Sequence, residues 1–287
     1  FCDERWEHEL AGNPNPIKLL NPIASQMSVM RSSLLGSLLQ VLKFNQDRKA
    51  QRVRVFEIGR VFLRDDSIGS TDTTVKGFDQ PMRLAGLAMG SSDAPEWGSK
   101  DRSVDFYDIK GDLESLLAPT QLTFIPAQHP AMHPGRCAQV LIAGVAAGFV
   151  GELHPKWRQS YELNQAPMLF EIELSALLSR VVPRFNSVPK FQAVERDIAV
   201  LVDEQVTHDA LMQAIWAAPT GGMLRDALLF DIYRPKAGDA NRAPEKSMAV
   251  RLTLNGLDVA LTEEQIESCV AAVVATLATQ VGARQRA

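Results

Sequence analysis

The clearest hydrophobic pattern lies in the last third of the chain. Residues 196–202 form a short β-branched run bounded by charges, which predicts a strand. Thr207 is placed to cap a helix that carries Leu211, Ile215 and Trp216, and the Pro-Thr-Gly-Gly run at 219–222 ends it. Two more strands are predicted at 224–233 and 248–254, because apolar and polar positions alternate there.

A second helix is predicted after these strands. Thr262 and Gln265 form a capping box at its start, and Gly282 ends it. Its apolar positions follow one helical face, namely Ile266, Cys269, Val270, Val273, Val274 and Leu277. Residues 283–286 are long enough to add a short edge strand.

The predicted order is strand-helix-strand-strand-helix-strand, which is typical of a ferredoxin-like βαββαβ domain. Two helices would cover one face of its sheet, with Leu228, Phe230 and Ile232 packed beneath them. The open face would then present Leu229, Asp231, Tyr233, Ala249, Arg251 and Thr253. Such a face can bind single-stranded RNA, sense a small molecule or contact a protein, so the fold alone does not decide the function.

The preceding part of the chain is predicted to be an α+β domain with a mostly antiparallel sheet. A helix is expected at 28–45 and a long surface loop at 64–80. Further strands are expected at 52–62, 82–89, 137–143, 147–151 and 168–173, with helices near 107–117 and 155–161.

The domain boundary is predicted near Ser187. Pro183 and Pro189 flank a polar stretch without apolar periodicity, which is typical of a linker. The expected domains are therefore residues 1–186 and 187–287.

Charge limits the choice of partners. The net charge is −4, and residues 188–287 carry 10 Lys and Arg against 13 Asp and Glu. This argues against strong, sequence-blind nucleic-acid binding, which depends on neutralising phosphates, but it leaves room for a small RNA contact. It also suits the alternative of a regulatory or interaction protein that senses a small molecule.

Other bulk features are ordinary. No apolar run is long enough for a membrane span, and the three cysteines, Cys2, Cys137 and Cys269, form no disulfide framework, so a reducing cytoplasm is expected. The chain begins at Phe1 rather than Met, and we expect it to be a fragment of a longer protein. Glycine-rich phosphate loops, Cys-x-x-Cys pairs and nucleophile elbows are missing from the sequence.

Four groups of residues, in this order and spacing, resemble the bacterial phenylalanyl-tRNA synthetase β family. They are Asn21-Pro22-Ile23 with Met27-Ser28-Val29-Met30-Arg31; Val55-Phe56-Glu57-Ile58-Gly59-Arg60-Val61-Phe62; His133-Pro134-Gly135-Arg136 with Gly151-Glu152-Leu153-His154-Pro155; and Phe191, Ala193, Val194 and Arg196-Asp197-Ile198 with Leu229-Phe230-Asp231-Ile232-Tyr233.

The resemblance implies a class II synthetase-like domain without catalytic activity, followed by a ferredoxin-fold anticodon-binding domain. It implies a partner α subunit that performs the chemistry in an (αβ)₂ assembly, with tRNA as substrate and with ATP and Mg²⁺ in the holoenzyme. The family's editing site and magnesium ligands would lie outside this chain. The residues agree, since no Arg stands two positions before Glu57 and acids occupy 171 and 173, where an ATP site would need cations.

Candidate tRNA-binding residues lie on or around the predicted open face. Tyr233 is suited to stacking on an unpaired base, and the cations to holding phosphates. The candidates are Arg196, Tyr233, Arg234, Lys236, Arg242, Lys246 and Arg251. For any single one of them, an ordinary solvated position is an equally good interpretation.

Three other groups have a chemical and a structural interpretation. His129, His133 and Cys137 have metal-ligand spacing, but Pro130 and Pro134 exclude a regular helix, which favours turn and strand-start residues over a metal site. The His-Pro motifs at 133–136 and 151–155 are likewise better explained as turns than as catalytic sites. Glu57 and Arg60 are either active-site remnants or, more simply, a structural ion pair or subunit contact.

Overall fold

The chain divides into two compact units, residues 1–183 and 184–287. The structure, a computed structural model, describes residues 1–94, 96–98, 100–178, 185, 189–234, 245–256 and 259–286. Ser187, Lys236 and Arg242 lie outside these described residues. Within the described ranges, no helix is both long and apolar enough to cross a membrane.

The first unit is α+β. Its helices are α1 (Glu4–Glu9), α2 (Leu35–Asp47), α3 (Phe106–Leu117), α4 (Pro155–Ser160) and α5 (Leu174–Leu178), with a 3₁₀ turn at Ser25–Met27. Its strands are β1 (Val53–Arg60), β2 (Leu63–Arg64), β3 (Phe78–Asp79), β4 (Met82–Met89), β5 (Leu122–Pro126), β6 (Met132–Ile142), β7 (Val145–Leu153) and β8 (Met168–Glu173).

Six of these strands form one antiparallel sheet in the order β1-β4-β8-β7-β6-β5. Both faces of β4 are buried. Ala85 and Leu87 pack in the cluster that includes α2, whereas Leu84 and Ala88 pack in the cluster that includes α3. Alternation along the strand therefore supplies two cores at once.

The predicted α+β class and antiparallel sheet are confirmed, and β4 and β8 begin and end as predicted. The predicted helix at 28–45 is wrong at its start, because α2 begins at Leu35. Val29 instead accepts a backbone hydrogen bond from Cys2 at 2.9 Å, so this segment is extended and cannot be helical. The short strands β2 and β3 lie at the two ends of the predicted 64–80 loop. Helix α1 and strand β5 were not predicted.

The second unit has the predicted ferredoxin-like order. It contains β9 (Val194–Asp203), α6 (His208–Trp216), β10 (Leu224–Tyr233), β11 (Glu245–Leu254), α7 (Glu263–Val281) and β12 (Arg284–Gln285). The antiparallel sheet has the order β10-β11-β9-β12, with β9 and β11 in the centre.

Local signals set the helix ends of this unit as predicted. The Thr207 hydroxyl accepts from the Ala210 N–H at 3.1 Å. Thr262 and Gln265 form the capping box, and Gly282 has a left-handed φ of 65°. Cys269 is buried in the core together with Ile266, Val273 and Leu277, which confirms the predicted helical face.

The predicted facing of β10 is wrong for Leu228, Leu229 and Phe230. Leu228 and Phe230, expected beneath the helices, are 57% and 50% exposed, whereas Leu229, expected on the open face, packs against the core. Ile232 pairs with buried Met248 on the helix side, as predicted, although it is 41% exposed. The register with β11 shifts twice, between Leu224 and Asp226 and between Leu229 and Asp231. Each irregularity adds a residue to one strand and interrupts the alternation of side chains.

Substitutions in β10 and β11 test this register. We expect Phe230→Ala to lower the free energy of unfolding by less than about 1 kcal/mol, because half of the side chain is already in solvent. Leu252→Ala, in the core, should cost about 2–5 kcal/mol. Urea unfolding of both variants measures the difference. A cost of about 3–5 kcal/mol for Phe230→Ala would place that ring in the core and contradict the register.

Candidate nucleic-acid interface

The sheet face opposite the helices of the second unit carries aromatic rings and arginines over small side chains. Cross-strand pairing aligns Asp231 with Ala249 and Ala249 with Ala199 in one row. The neighbouring row joins Tyr233 to Ser247 and Ser247 to Leu201. Side chains of β10 therefore stand beside a flatter part of the face, formed by β9 and β11 and here called the floor.

Arg251 is fixed on this face by acids and by an aromatic ring. Its Nε and Nη2 donate to the two oxygens of Asp197 at 2.8 and 3.0 Å, and its guanidinium carbon lies 5.4 Å from the centre of the Phe230 ring. Glu195 is a second acidic neighbour at 3.6 Å. The hydrogen bonds from Arg251 hold the pKa of Asp197 below its usual range. The charge of Arg251 is thus largely compensated within the protein.

Tyr233 lies on the same face and is 51% exposed. The guanidinium carbon of Arg286, just after β12, lies 5.5 Å from the centre of its ring. A half-exposed tyrosine adds little to a core but offers a flat surface for an unpaired base. The outward orientation expected for Tyr233 and Arg251 is confirmed.

Two candidates lie on the helix side rather than on the open face. Arg196 pairs across the strands with buried Leu252, and its Nη2 binds Glu263 of α7 at 2.7 Å. Lys246 is 7% exposed, and its Nζ donates to the Glu204 carbonyl at 2.8 Å. Their expected position around the open face is wrong, since strand alternation turns both inward.

The remaining candidates are less constrained. Arg234 is exposed, and its Nε donates to Glu204 at 2.9 Å. Lys236 and Arg242 lie outside the described residues. Sequence reasoning missed Leu228, Phe230, Arg284 and Arg286 as residues of this face. Leu228 and Phe230 face outward because of bulges, which the alternating sequence pattern does not reveal. Arg284 and Arg286 were missed because β12 was predicted without assigning its side chains to a face of the sheet.

In the first unit, Glu57 and Arg60 are each bound by other groups of the protein. Glu57 accepts from Arg31 Nη1 at 2.5 Å and from the Ser37 hydroxyl at 2.6 Å. Arg60 donates to the Gln80 carbonyl at 3.0 Å. The structural ion pair is therefore present, but the partner of Glu57 is Arg31 rather than Arg60.

The acidic run at 171–173 is also neutralised in part. Arg83 bridges it, with Nη1 2.9 Å from Glu171 and Nε 2.8 Å from Glu173. Glu171 additionally accepts from the Leu34 N–H at 2.5 Å. Arg83, Glu171 and Glu173 border a cavity of about 450 Å³ that His129 also lines. The sequence suggested that these acids have no cationic partner, whereas the structure pairs both of them with Arg83. Arg83 is therefore not free to bind a phosphate.

Three His-Pro pairs share the same local hydrogen bond. The Nδ1 atoms of His129, His133 and His154 accept from the N–H groups two residues later, at 3.1, 3.0 and 3.0 Å. The turn interpretation is confirmed for His129 and for His154, which caps α4. His133 lies instead inside β6, where the pairing with β7 shifts between Met132 and Cys137. Among the described residues, no three His, Cys, Asp or Glu side chains are grouped so as to hold a metal ion.

Comparison with known proteins decides the family. Residues 1–174 match the model of the phenylalanyl tRNA synthetase beta chain CLM domain. The chain belongs to the phenylalanyl-tRNA synthetase β-chain family. Residues 189–286 match the ferredoxin-fold anticodon binding domain, in agreement with the topology of the second unit.

Curated relatives with the name phenylalanine–tRNA ligase beta subunit match the whole chain. Those from Cupriavidus pinatubonensis and Burkholderia pseudomallei are 47% and 46% identical over 291 residues, and that from Bordetella bronchiseptica is 40% identical over 293. The chain spans 36% of the length of each of these relatives.

We expect the stability of this chain to depend on pH through His129. Burial, together with the nearby charge of Arg83, lowers the pKa of His129 to about 4. Its ordinary pKa is about 6.5, so protonation favours the unfolded chain. The contribution is complete above about pH 6.5 and is lost as the pH falls toward about 4.

We expect His129→Asn to remove this dependence, because Asn does not titrate and its Oδ1 can still accept from the Ala131 N–H. Between pH 7.5 and 5 the wild type should lose on the order of 2 kcal/mol more than the variant in urea unfolding. His208→Asn, at an exposed position, is the matched control and should follow the wild type. Parallel pH curves for wild type and His129→Asn would contradict the account.

Proposed function

We propose that this chain is the part of a phenylalanine–tRNA ligase β subunit that binds the tRNA anticodon and contacts the catalytic subunit. The observation that carries the proposal is the exposed aromatic face of β10, on a domain that matches the anticodon-binding model. Residues 187–287 would bind the anticodon, and residues 1–186 would act as a scaffold.

Stacking is the main source of affinity in this proposal. Phe230 and Tyr233 are each about half exposed on the open face. Most cations nearby are matched by acids, as Arg251 is by Asp197. A face with balanced charge and exposed rings favours unstacked bases over duplex phosphates. Its modest affinity would add to contacts made elsewhere in the synthetase. The matches favour this function over small-molecule sensing.

The proposal assigns no chemistry to the first unit. An ATP site needs cations that are free to bind phosphate. Arg31 and Arg83 are instead bound to Glu57, Glu171 and Glu173. Amino-acid activation would therefore take place on the α subunit of an (αβ)₂ assembly, and ATP and Mg²⁺ would bind there.

The first unit also has a surface suited to subunit contact. Phe56 and Ile58 on edge strand β1 are 73% and 50% exposed. With Leu116 of α3 they border a groove of about 400 Å³ lined mainly by apolar residues. An exposed apolar groove beside an edge strand is typical of a surface that a protein covers. We place the α-subunit contact here.

The RNA contact is tested in the assembled synthetase. We expect Tyr233→Ala and Arg251→Ala to weaken tRNA binding, by roughly tenfold for Tyr233→Ala, because stacking is worth ~1–3 kcal/mol per base. KM for tRNA should rise more than kcat falls. Arg196→Ala, on the helix side, is the matched control and should bind tRNA normally. Filter binding measures all of them. Wild-type affinity of the Tyr233 and Arg251 variants, with intact folding, would move the contact elsewhere.

The absence of chemistry is tested on the chain alone. We expect no pyrophosphate exchange with phenylalanine and ATP above the enzyme-free background, since the arginines of the first unit are engaged by acids. The assembled synthetase serves as the positive control. Exchange by the isolated chain above background would contradict the proposed division of labour.

A further inference from the structure

Tyr233 and Arg286 meet from opposite edges of the second unit's sheet. Tyr233 is on edge strand β10, and Arg286 follows the other edge strand, β12. With ~4.8 Å between neighbouring strands, these edges lie roughly 14 Å apart. The two side chains nevertheless come within 5.5 Å of each other, measured from guanidinium carbon to ring centre.

The backbone fixes the starting point of Arg286. Its N–H donates to the Ala199 carbonyl of β9 at 2.9 Å, which continues the pairing of Arg284 with Leu201. Ser247, the cross-strand neighbour of Tyr233, is only 4% exposed although alternation places it on the open face. The side chains that reach in from the edges therefore cover this part of the floor.

The charge of Arg286 distinguishes it from its neighbours. Arg251 is bound by Asp197, Arg284 by Glu245, Arg234 by Glu204 and Arg196 by Glu263. Within the described part of the chain, no carboxylate lies within ion-pair distance of Arg286; its side chain contacts the Tyr233 ring. Arg286 therefore combines a fixed backbone, an aromatic neighbour and a charge that no carboxylate of the described residues compensates.

We propose that Arg286 binds the phosphate of the nucleotide whose base stacks on Tyr233, so that the two residues form one subsite for an unpaired RNA nucleotide. Guanidinium groups stack on aromatic faces and bind phosphate in a bidentate manner. Arg286 can thus hold the ring in position in the free protein and turn its donors to phosphate when RNA binds. Arg251 cannot bind this phosphate without breaking its ion pair with Asp197.

The proposed subsite rests on the proposed function of this face. The salt dependence of tRNA binding tests the phosphate contact of Arg286 separately from RNA binding by the face. Filter binding of phenylalanine-accepting tRNA to the assembled synthetase is measured over a series of salt concentrations. We expect Arg286→Ala to weaken binding about tenfold. The slope of log affinity against log salt should become less negative by about 0.7, the value for one phosphate contact on a single strand.

Two further variants test the mechanism. Arg286→Lys keeps the charge and should restore the slope, with affinity between those of Arg286→Ala and wild type. The double variant Tyr233→Ala/Arg286→Ala should bind better than the product of the two single effects predicts, because both residues serve one nucleotide. Arg196→Ala, which removes a cation from the other side of the sheet, is the control.

Each outcome decides between the claims. If Tyr233→Ala weakens binding while Arg286→Ala keeps the wild-type affinity and slope, the subsite is refuted and the proposed RNA face stands. A loss in Arg286→Ala with an unchanged slope, not recovered by Lys, would show a purely structural role and also refute the subsite. If all variants on this face bind like the wild type, the proposed function of the face fails as well.

Discussion

The break in alternation along β10 is the constraint on which the open face of the second unit depends. Two shifts in register against β11 turn Leu228 and Phe230 away from the helices and leave Leu229 against the core. Perfect alternation would have buried Phe230 and left a smaller, more polar surface. The shifts cost ladder hydrogen bonds at an edge strand, where such losses are tolerated most easily.

The fold was largely predictable because its signals are local. The capping box at Thr262, the left-handed Gly282 and the apolar stripe of α7 act within a few residues, and each was recovered. The start of α2 was not predicted correctly, because the preceding segment is held by pairing of Val29 with Cys2, which is far away in sequence. A period-two pattern does not reveal bulges, which explains the wrong facing assigned to Leu228, Leu229 and Phe230.

The positions of the candidate site residues were predicted less well than the fold, for a related reason. The composition of the second unit shows how many cations it has, but not which of them acids already bind. Arg196 and Lys246 lie at strand positions whose side chains point to the helix side of the sheet. Arg251 forms an ion pair with Asp197. Arg286 was missed because only the assembled sheet brings it to Tyr233. In the first unit the same principle applies, since Arg83 becomes a structural residue once Glu171 and Glu173 surround it.

The central claim is that RNA binds the open face of the second unit, and hydroxyl-radical footprinting of the assembled synthetase measures this directly. Tyr233 and Trp216 are equally exposed, at 51% each, but Trp216 lies on helix α6. Oxidation of both side chains is followed by mass spectrometry with and without tRNA. The account predicts that tRNA protects Tyr233 and Phe230 and leaves Trp216 reactive. Protection of Trp216 with Tyr233 and Phe230 unchanged would contradict it.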